Sequence, residues 1–427
     1  MKKWQKQCAF ANIRGLKSAW LFSPFLAFLL ITPLENAFAD FAYVPNLASG
    51  SVSVIDTPTN TVIATVTVGG FPAGVAITPD GLFAYVTNEI NIVVIDTGTQ
   101  MVVATITPDA SVAPDAIAID PITGLFAYVT NIGDGNVIVI DTATKTVVAT
   151  ITVGPAPIAV AITPNDLSVY VANSGVNNVS VIDAGTRAVV ATVTVGGVCN
   201  GVAISPDGLF AYVVNNVTPG YLSVIDTGTK AVVATVTVGD NPDGLAVTLN
   251  GAFVYVADTG TQSVSVINTQ AKTIVATITV GLAPIAVAIT LNDLSVYVVN
   301  EGDNNVSAID IGTNTVVATV AVGVSPISIA MTLGPVQAPQ NLKGQQKKND
   351  YGLVFERFNR LTWAANPSGP AADGYVVYRN GVKIATLPAS TLEYEDHNRK
   401  KGVTTVYAVT ALGVLSSESS AATVTVK

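Results

Sequence analysis

The stretch PAGVAITPDGLFAYVTNEINIVVIDTGTQMVVATIT, residues 72–107, decides the fold. It holds four short runs of Val, Ile, Ala and Thr, separated by polar turns. "PAGVAI" is a small-residue strand ending in a Pro-Asp-Gly turn, and "LFAYVTN", "NIVVIDTGT" and "MVVATIT" follow it. Branched Cβ atoms are stiff and pack well on a pleated surface, while Gly, Asp and Asn supply the turns. The unit recurs with its Tyr at 43, 85, 128, 170, 212, 255 and 297. A strand-rich unit of about this length, repeated along a chain, is the signature of propeller blades. The expected fold class is therefore all-β: a seven-bladed β-propeller with four-stranded blades.

The small-residue strand belongs at the crowded axis, where Gly74, Ala116, Ala159, Gly201 and Ala286 leave room. The chain enters its first repeat at a second strand (Phe41 onward) and leaves its last at a first strand, residues 327–332. One blade is thus expected to combine both ends of the repeat array, which fastens the ring and removes two free edges.

Outside the repeats the composition changes. Lys2, Lys3, Lys6, Arg14 and Lys17 precede an apolar run over residues 19–34, and Ala37-Phe38-Ala39 gives a small-x-small cleavage pattern. This reads as a signal peptide over residues 1–39, with export to the periplasm, cell surface or medium. Cys8 falls within it and leaves Cys199 as the one thiol of the processed chain, so no intrachain disulfide is expected. The remaining boundaries are a propeller over 40–332, a linker over 333–344 and a β-sandwich over 345–427. Residues 40–334 carry 21 Asp and Glu against four Lys and Arg, a net −17; residues 335–427 carry 11 basic and seven acidic residues, a net +4. The acidic part lacks the clustered cations that phosphate backbones require, so nucleic acid is not an expected partner.

Tyr85-Val86-Thr87-Asn88, repeated at residues 128–131, with "YVPN", "YVAN", "YVVN" and "YVAD" variants, resembles the name-giving phrase of the YVTN β-propeller repeat family. The likeness spans about 290 residues and includes the "TPDG" and "VIDT" turn phrases. It implies a surface-layer or exported protein, mostly without a defined activity. At the level of fold the chain also resembles seven-bladed lactonases and the propeller of nitrous oxide reductase. The lactonases' functional groups find no matching positions here.

Propeller ligands usually meet the face built by loops entering the first strand and leaving the second. That face is expected to carry Glu89, Asp109, Asp115, Asp134, Asp240, Asp243, Asp258, Glu301 and Asp303, a negative surface for a cation or basic partner, or else a solvated surface that keeps an apolar chain soluble. Lys145, Arg187, Lys230 and Lys272 belong to the opposite face. Asn46, Asn88, Asn131, Asn173, Asn215 and Asn300, with Asp258 in one repeat, end the second strand. They are read either as a ligand-facing ring or as side chains that close their own turns. The repeats contain no His, and no acid pair stands out by spacing. Cys199 replaces the Pro of Pro72, Pro157, Pro242 and Pro284 and reads as a small apolar core residue. The outer "VVATVTVG" strands are open edges, protected or available for self-association.

From residue 345 onward, Trp363, the hairpin "DGYVVYRNGVKIATL" with its Asn380-Gly381 turn, and "VYAVTAL" resemble a fibronectin type III domain. Thr405 stands where a tyrosine corner would be expected, which implies a missing tether. His397 lacks a second donor for zinc. Arg399, Lys400 and Lys401 read as a solvated basic loop or a dock for an acidic glycan or lipid. The chain as a whole reads as an exported, non-catalytic binding or scaffold protein of the cell envelope or surface, with a protein or glycan partner, no cofactor and no membrane span after cleavage. The alternatives are a lactonase- or lyase-like enzyme acting in the funnel, or a periplasmic accessory to a redox system.

Overall fold

The computed structural model describes residues 40–108, 113–333, 339–350, 355–365, 372, 374–412, 419 and 421–427. The expected signal peptide and Asp109 lie outside them. The described chain is all-β, without a helix. Between Asp40 and Leu333 the strands form seven four-stranded antiparallel sheets, in the repeated arrangement of a propeller-type protein. Six are built from consecutive strands. The remaining sheet joins the inner strand Ala330–Leu333 to Asp40–Asn46, with Tyr43 opposite Ala330 and Phe41 opposite Thr332.

The core lies between sheets. One cluster joins Tyr43, Val52 and Val54 to Val75, Val86 and Val93 of the next sheet; another joins Tyr297, Val299 and Val306 back to Ala42, Val44 and Ile55. The repeated Tyr explains the spacing. Its ring is buried, and its hydroxyl reaches the outer turn of the following sheet: Tyr85 Oη donates to the Thr142 carbonyl at 2.9 Å. Tyr297 makes the same reach to Thr57 at 3.0 Å, across the joint between the last and first sheets. Inner strands pack against inner strands all the way round, including Ala330–Leu333 against Pro72–Ile77.

Each outer strand carries one extra residue relative to its partner. These bulged residues are Ile63, Val103, Val148, Val190, Val233, Val275 and Val317. A bulge bends an edge and interrupts the ladder another chain would extend. The rim is thus a ring of edges blunted by design, each tipped by an exposed aliphatic side chain.

Beyond the ring, strands Gln340–Asp350, Phe355–Ala364 and Glu393–Asp396 form one sheet, and Gly374–Arg379, Val382–Pro388, Thr405–Leu412 and Ala422–Val426 form another. Leu361, Trp363, Tyr375, Val377, Tyr407 and Val409 share a core. Two expectations need correction. The linker expected over 333–344 is strand at both ends, because Gln340–Asp350 pairs along Phe355–Ala364 despite its polar composition. The missing tyrosine tether is supplied two residues on: buried Tyr407 donates its hydroxyl to Asp396 Oδ2 at 2.5 Å, and Asn359 Nδ2 donates to Tyr407 Oη at 3.0 Å.

Candidate functional site

The second residue of six inner strands forms a series around one mouth of the ring: Ala73, Asp115, Ile158, Asn200, Asp243 and Ile285; Ile327 holds the matching place in the seventh repeat, after the bridged pair Pro326 and Asn46 and ahead of the strand itself. Its geometry comes from the residue before it. Pro114 pairs with Asn131, and the register then slips before Ile117; Pro242 and Asp258 pair and slip in the same way. Such a bulge re-aims the side chain it displaces. Asp115 and Asp243 are therefore strand residues at the inner edge, not loop residues as expected from the sequence.

Close backbone approach seats both. A Cβ on Gly74 would lie 2.4 Å from the Asp115 carbonyl oxygen, and one on Gly201 would lie 2.6 Å from that of Asp243. Glycine is needed there for space. Thr87, fully buried, donates its hydroxyl to the Asp115 carbonyl at 2.5 Å, and Thr130 Oγ1 accepts the N–H of Ala116 at 2.9 Å. The literal "YVTN" Thr thus occurs in the two repeats that clamp Asp115. Neither Thr was singled out from sequence, although the repeat has Pro45, Ala172, Val214, Ala257 and Val299 in its other copies.

The electrostatics follow from burial. Burial pushes the Asp115 carboxyl up to about 6. At Asp243 burial again dominates, a hydrogen bond from Asn200 opposes it, and the negative charges of Asp115 and Glu301 add to it, with the result also about 6. Burial is the sole cause at Asp115 and the largest at Asp243, with repulsion a smaller addition there. Glu301 accepts a 2.8 Å hydrogen bond from Ser325 Oγ, in the turn that leads toward the neighbouring inner strand. Asn200 was not expected from sequence; its signal is that it occupies the position of Asp115 and Asp243 in its own repeat.

The other expected acids do not join this group. Glu89 is an exposed turn residue with φ 47°. Asp134 lies by Asn131, whose Nδ2 donates to its Oδ2 at 3.2 Å, beside a cavity of about 440 Å³ also lined by Pro108 and Lys145. Asp303 ties its loop to the one that leads into Pro284–Ile289, accepting the Leu282 N–H at 2.8 Å. Asp258 is fully buried, which overturns its placement on a loop surface. It stands where the other repeats have Asn, and those amides are also buried. Asn173 Nδ2 donates to Ser180 Oγ at 2.9 Å while its Oδ1 accepts from Gly154 N–H at 3.1 Å. The amides close turns; they do not line a funnel. At Asp258 the polarity reverses, since a carboxylate has no N–H: Ser265 Oγ donates to its Oδ2 at 2.6 Å, and Oδ1 keeps no hydrogen bond of good geometry. Burial pushes this carboxyl up to about 6 as well, with Asp240 adding repulsion. Cys199 is buried, and burial raises its thiol to about 11, so it behaves as a packed core residue. Among the described residues no three His, Cys, Asp or Glu side chains are grouped to hold a metal ion.

No family description matches the sequence, and no curated protein matches it at the sequence level. Solved structures do match in shape. Hydrazine synthase of Kuenenia stuttgartiensis is 24% identical over 63% of this chain and 91% of its own, with a TM-score of 0.58. A protein of unknown function from Desulfotomaculum acetoxidans is 21% identical over 68% of this chain and 98% of its own, TM-score 0.59. A candidate 6-phosphogluconolactonase from Bacteroides uniformis is 14% identical over 69% of this chain and 100% of its own, TM-score 0.58. At such identities the likeness is one of fold.

Proposed function

We propose that the chain is an exported binding protein: a seven-bladed propeller of the YVTN kind, followed by a fibronectin-type β-sandwich, that captures a positively charged group at its axial mouth. The carrying observation is the broken symmetry of the inner ring. Three Ile and one Ala keep most of that ring apolar, while Asp115, Asn200 and Asp243, interrupted by Ile158 and with Glu301 nearby, form its polar arc. An arc of partly desolvated carboxyls favours an extended cation such as a lysine or arginine side chain of a protein partner, because binding relieves their mutual repulsion. Calorimetric titration with an oligolysine peptide tests this. Affinity at pH 7 should fall at least tenfold in Asp115→Asn/Asp243→Asn; equal affinity in that variant defeats the reading.

A lactonase-like reading has one point in its favour. A carboxyl titrating near 6 suits general-base work at neutral pH, and candidate lactonases share the fold. The substrate would be an uncharged or cationic lactone, since an acidic mouth repels a phosphorylated one. Hydrolysis of neutral lactones that vanishes in Asp243→Asn would favour this reading over simple capture.

A further inference from the structure

One end of the C-terminal module gathers side chains that are far apart in sequence. Lys348 lies opposite Arg357 in the register of the first sheet. The loop after Glu393–Asp396 crosses this end: Arg399 N–H donates to the Arg357 carbonyl at 2.8 Å, and Gln346 Nε2 donates to the Lys400 carbonyl at 3.2 Å. That loop then runs into Thr405–Leu412 beside the Asn380-Gly381 turn, where Asn380 N–H donates to the Val406 carbonyl at 2.8 Å and Val406 N–H to Asn380 Oδ1 at 3.0 Å. The result is exposed Lys348, Lys400 and Lys401 near Val382, Val403 and Val406, which are 65%, 50% and 46% exposed.

Asp396 is held by Arg379 at 3.0 Å and by Tyr407, while Glu356 and Glu395 face the two ring nitrogens of His397 at 3.0 and 3.6 Å. Phe358 is buried and stacked on His397, so it gives no open platform for a nucleobase. The module also carries a net +4 over residues 335–427, against −17 over residues 40–334. Lysines that flank solvent-exposed aliphatic side chains match an anionic bilayer surface. The ammonium groups meet headgroup phosphates, and the valines enter the interfacial layer. A hydrophilic polyanion would use the lysines and ignore the valines.

We propose that this end of the C-terminal module docks on an anionic lipid surface and holds the ring beside a membrane without spanning it.

The test is co-sedimentation of the purified full chain with vesicles of 30% phosphatidylglycerol in phosphatidylcholine, with pure phosphatidylcholine as the second arm. The account expects preference for the anionic vesicles, weakening from 50 to 300 mM salt. Binding should fall at least tenfold in Lys400→Glu/Lys401→Glu and severalfold in Val403→Ser/Val406→Ser. Thermal unfolding of each variant should match the parent, since all four positions are exposed. Three results would overturn the proposal: equal partition to both vesicle types, no change in the lysine variant, or binding to soluble dextran sulfate that competes fully and is indifferent to the valine change.

Discussion

Asp258 in the ring and Asp396 in the C-terminal module are both buried carboxylates, and they are kept in opposite ways. Asp396 sits among cations and donors: Arg379 Nη1 at 3.0 Å, Arg399 Nε at 3.5 Å and the Tyr407 hydroxyl. Asp258 has hydroxyl and amide neighbours, no paired cation among the described residues, and Asp240 close enough to repel it. The ring was built for neutral side chains, with Asn, Ser and Thr closing its buried turns, and a carboxylate there is an exception the architecture does not compensate. The module was built around charge. A buried acid with partners is costly to remove, whereas one without partners is costly to keep ionised.

The comparison breaks most sharply at Asp396. Asp396→Ala leaves the buried Tyr407 hydroxyl and the half-exposed Arg379 without their shared acceptor. It should destabilise the module by up to about 3 kcal/mol, read as a lower urea midpoint of its unfolding while that of the ring is unchanged. Asp258→Asn goes the other way. It restores the amide used in the other repeats and lets Ser265 accept, as Ser180 does from Asn173. A folded carboxyl at about 6 against an ordinary value of 3.8 implies a gain of about 3 kcal/mol at pH 7 and almost none at pH 4. The sign follows from linkage: a raised folded value means that the native state holds the proton more tightly. Stability is therefore greatest below the unfolded value and is lost as pH rises through about 6. Urea midpoints of the parent should climb between pH 7 and 5, and Asp258→Asn should climb less. A smaller effect belongs to Gly74→Ala, whose Cβ would press on the Asp115 carbonyl; packing strain of about 1–3 kcal/mol is expected, measured as a lower urea midpoint.

Much of this could be read from the chain before any coordinates. The Tyr repeat, the Asn380-Gly381 turn and the small inner residues each have one structural use, so they announced themselves. Asp115 and Asp243 look like loop residues in the sequence, because a preceding Pro reads as a strand boundary; the bulge that makes Pro the first paired residue leaves no local signature. Asn200 carries no signal of its own, since an amide in a turn-rich chain suggests a turn. Asp258 reads as a surface residue because acids suggest a surface, and only tertiary packing closes water out there. Gln340–Asp350 lacks the β-branched residues of the other strands, and its lysines suit an exposed edge, so its pairing could not be read from composition.

The most direct test is a carboxyl titration by NMR of selectively carbon-labelled Asp, with and without saturating oligolysine. The account predicts apparent midpoints for Asp115 and Asp243 near 6 in the free protein, both moving down by at least one pH unit when the peptide is bound. Midpoints near 4 that do not respond to peptide would contradict it.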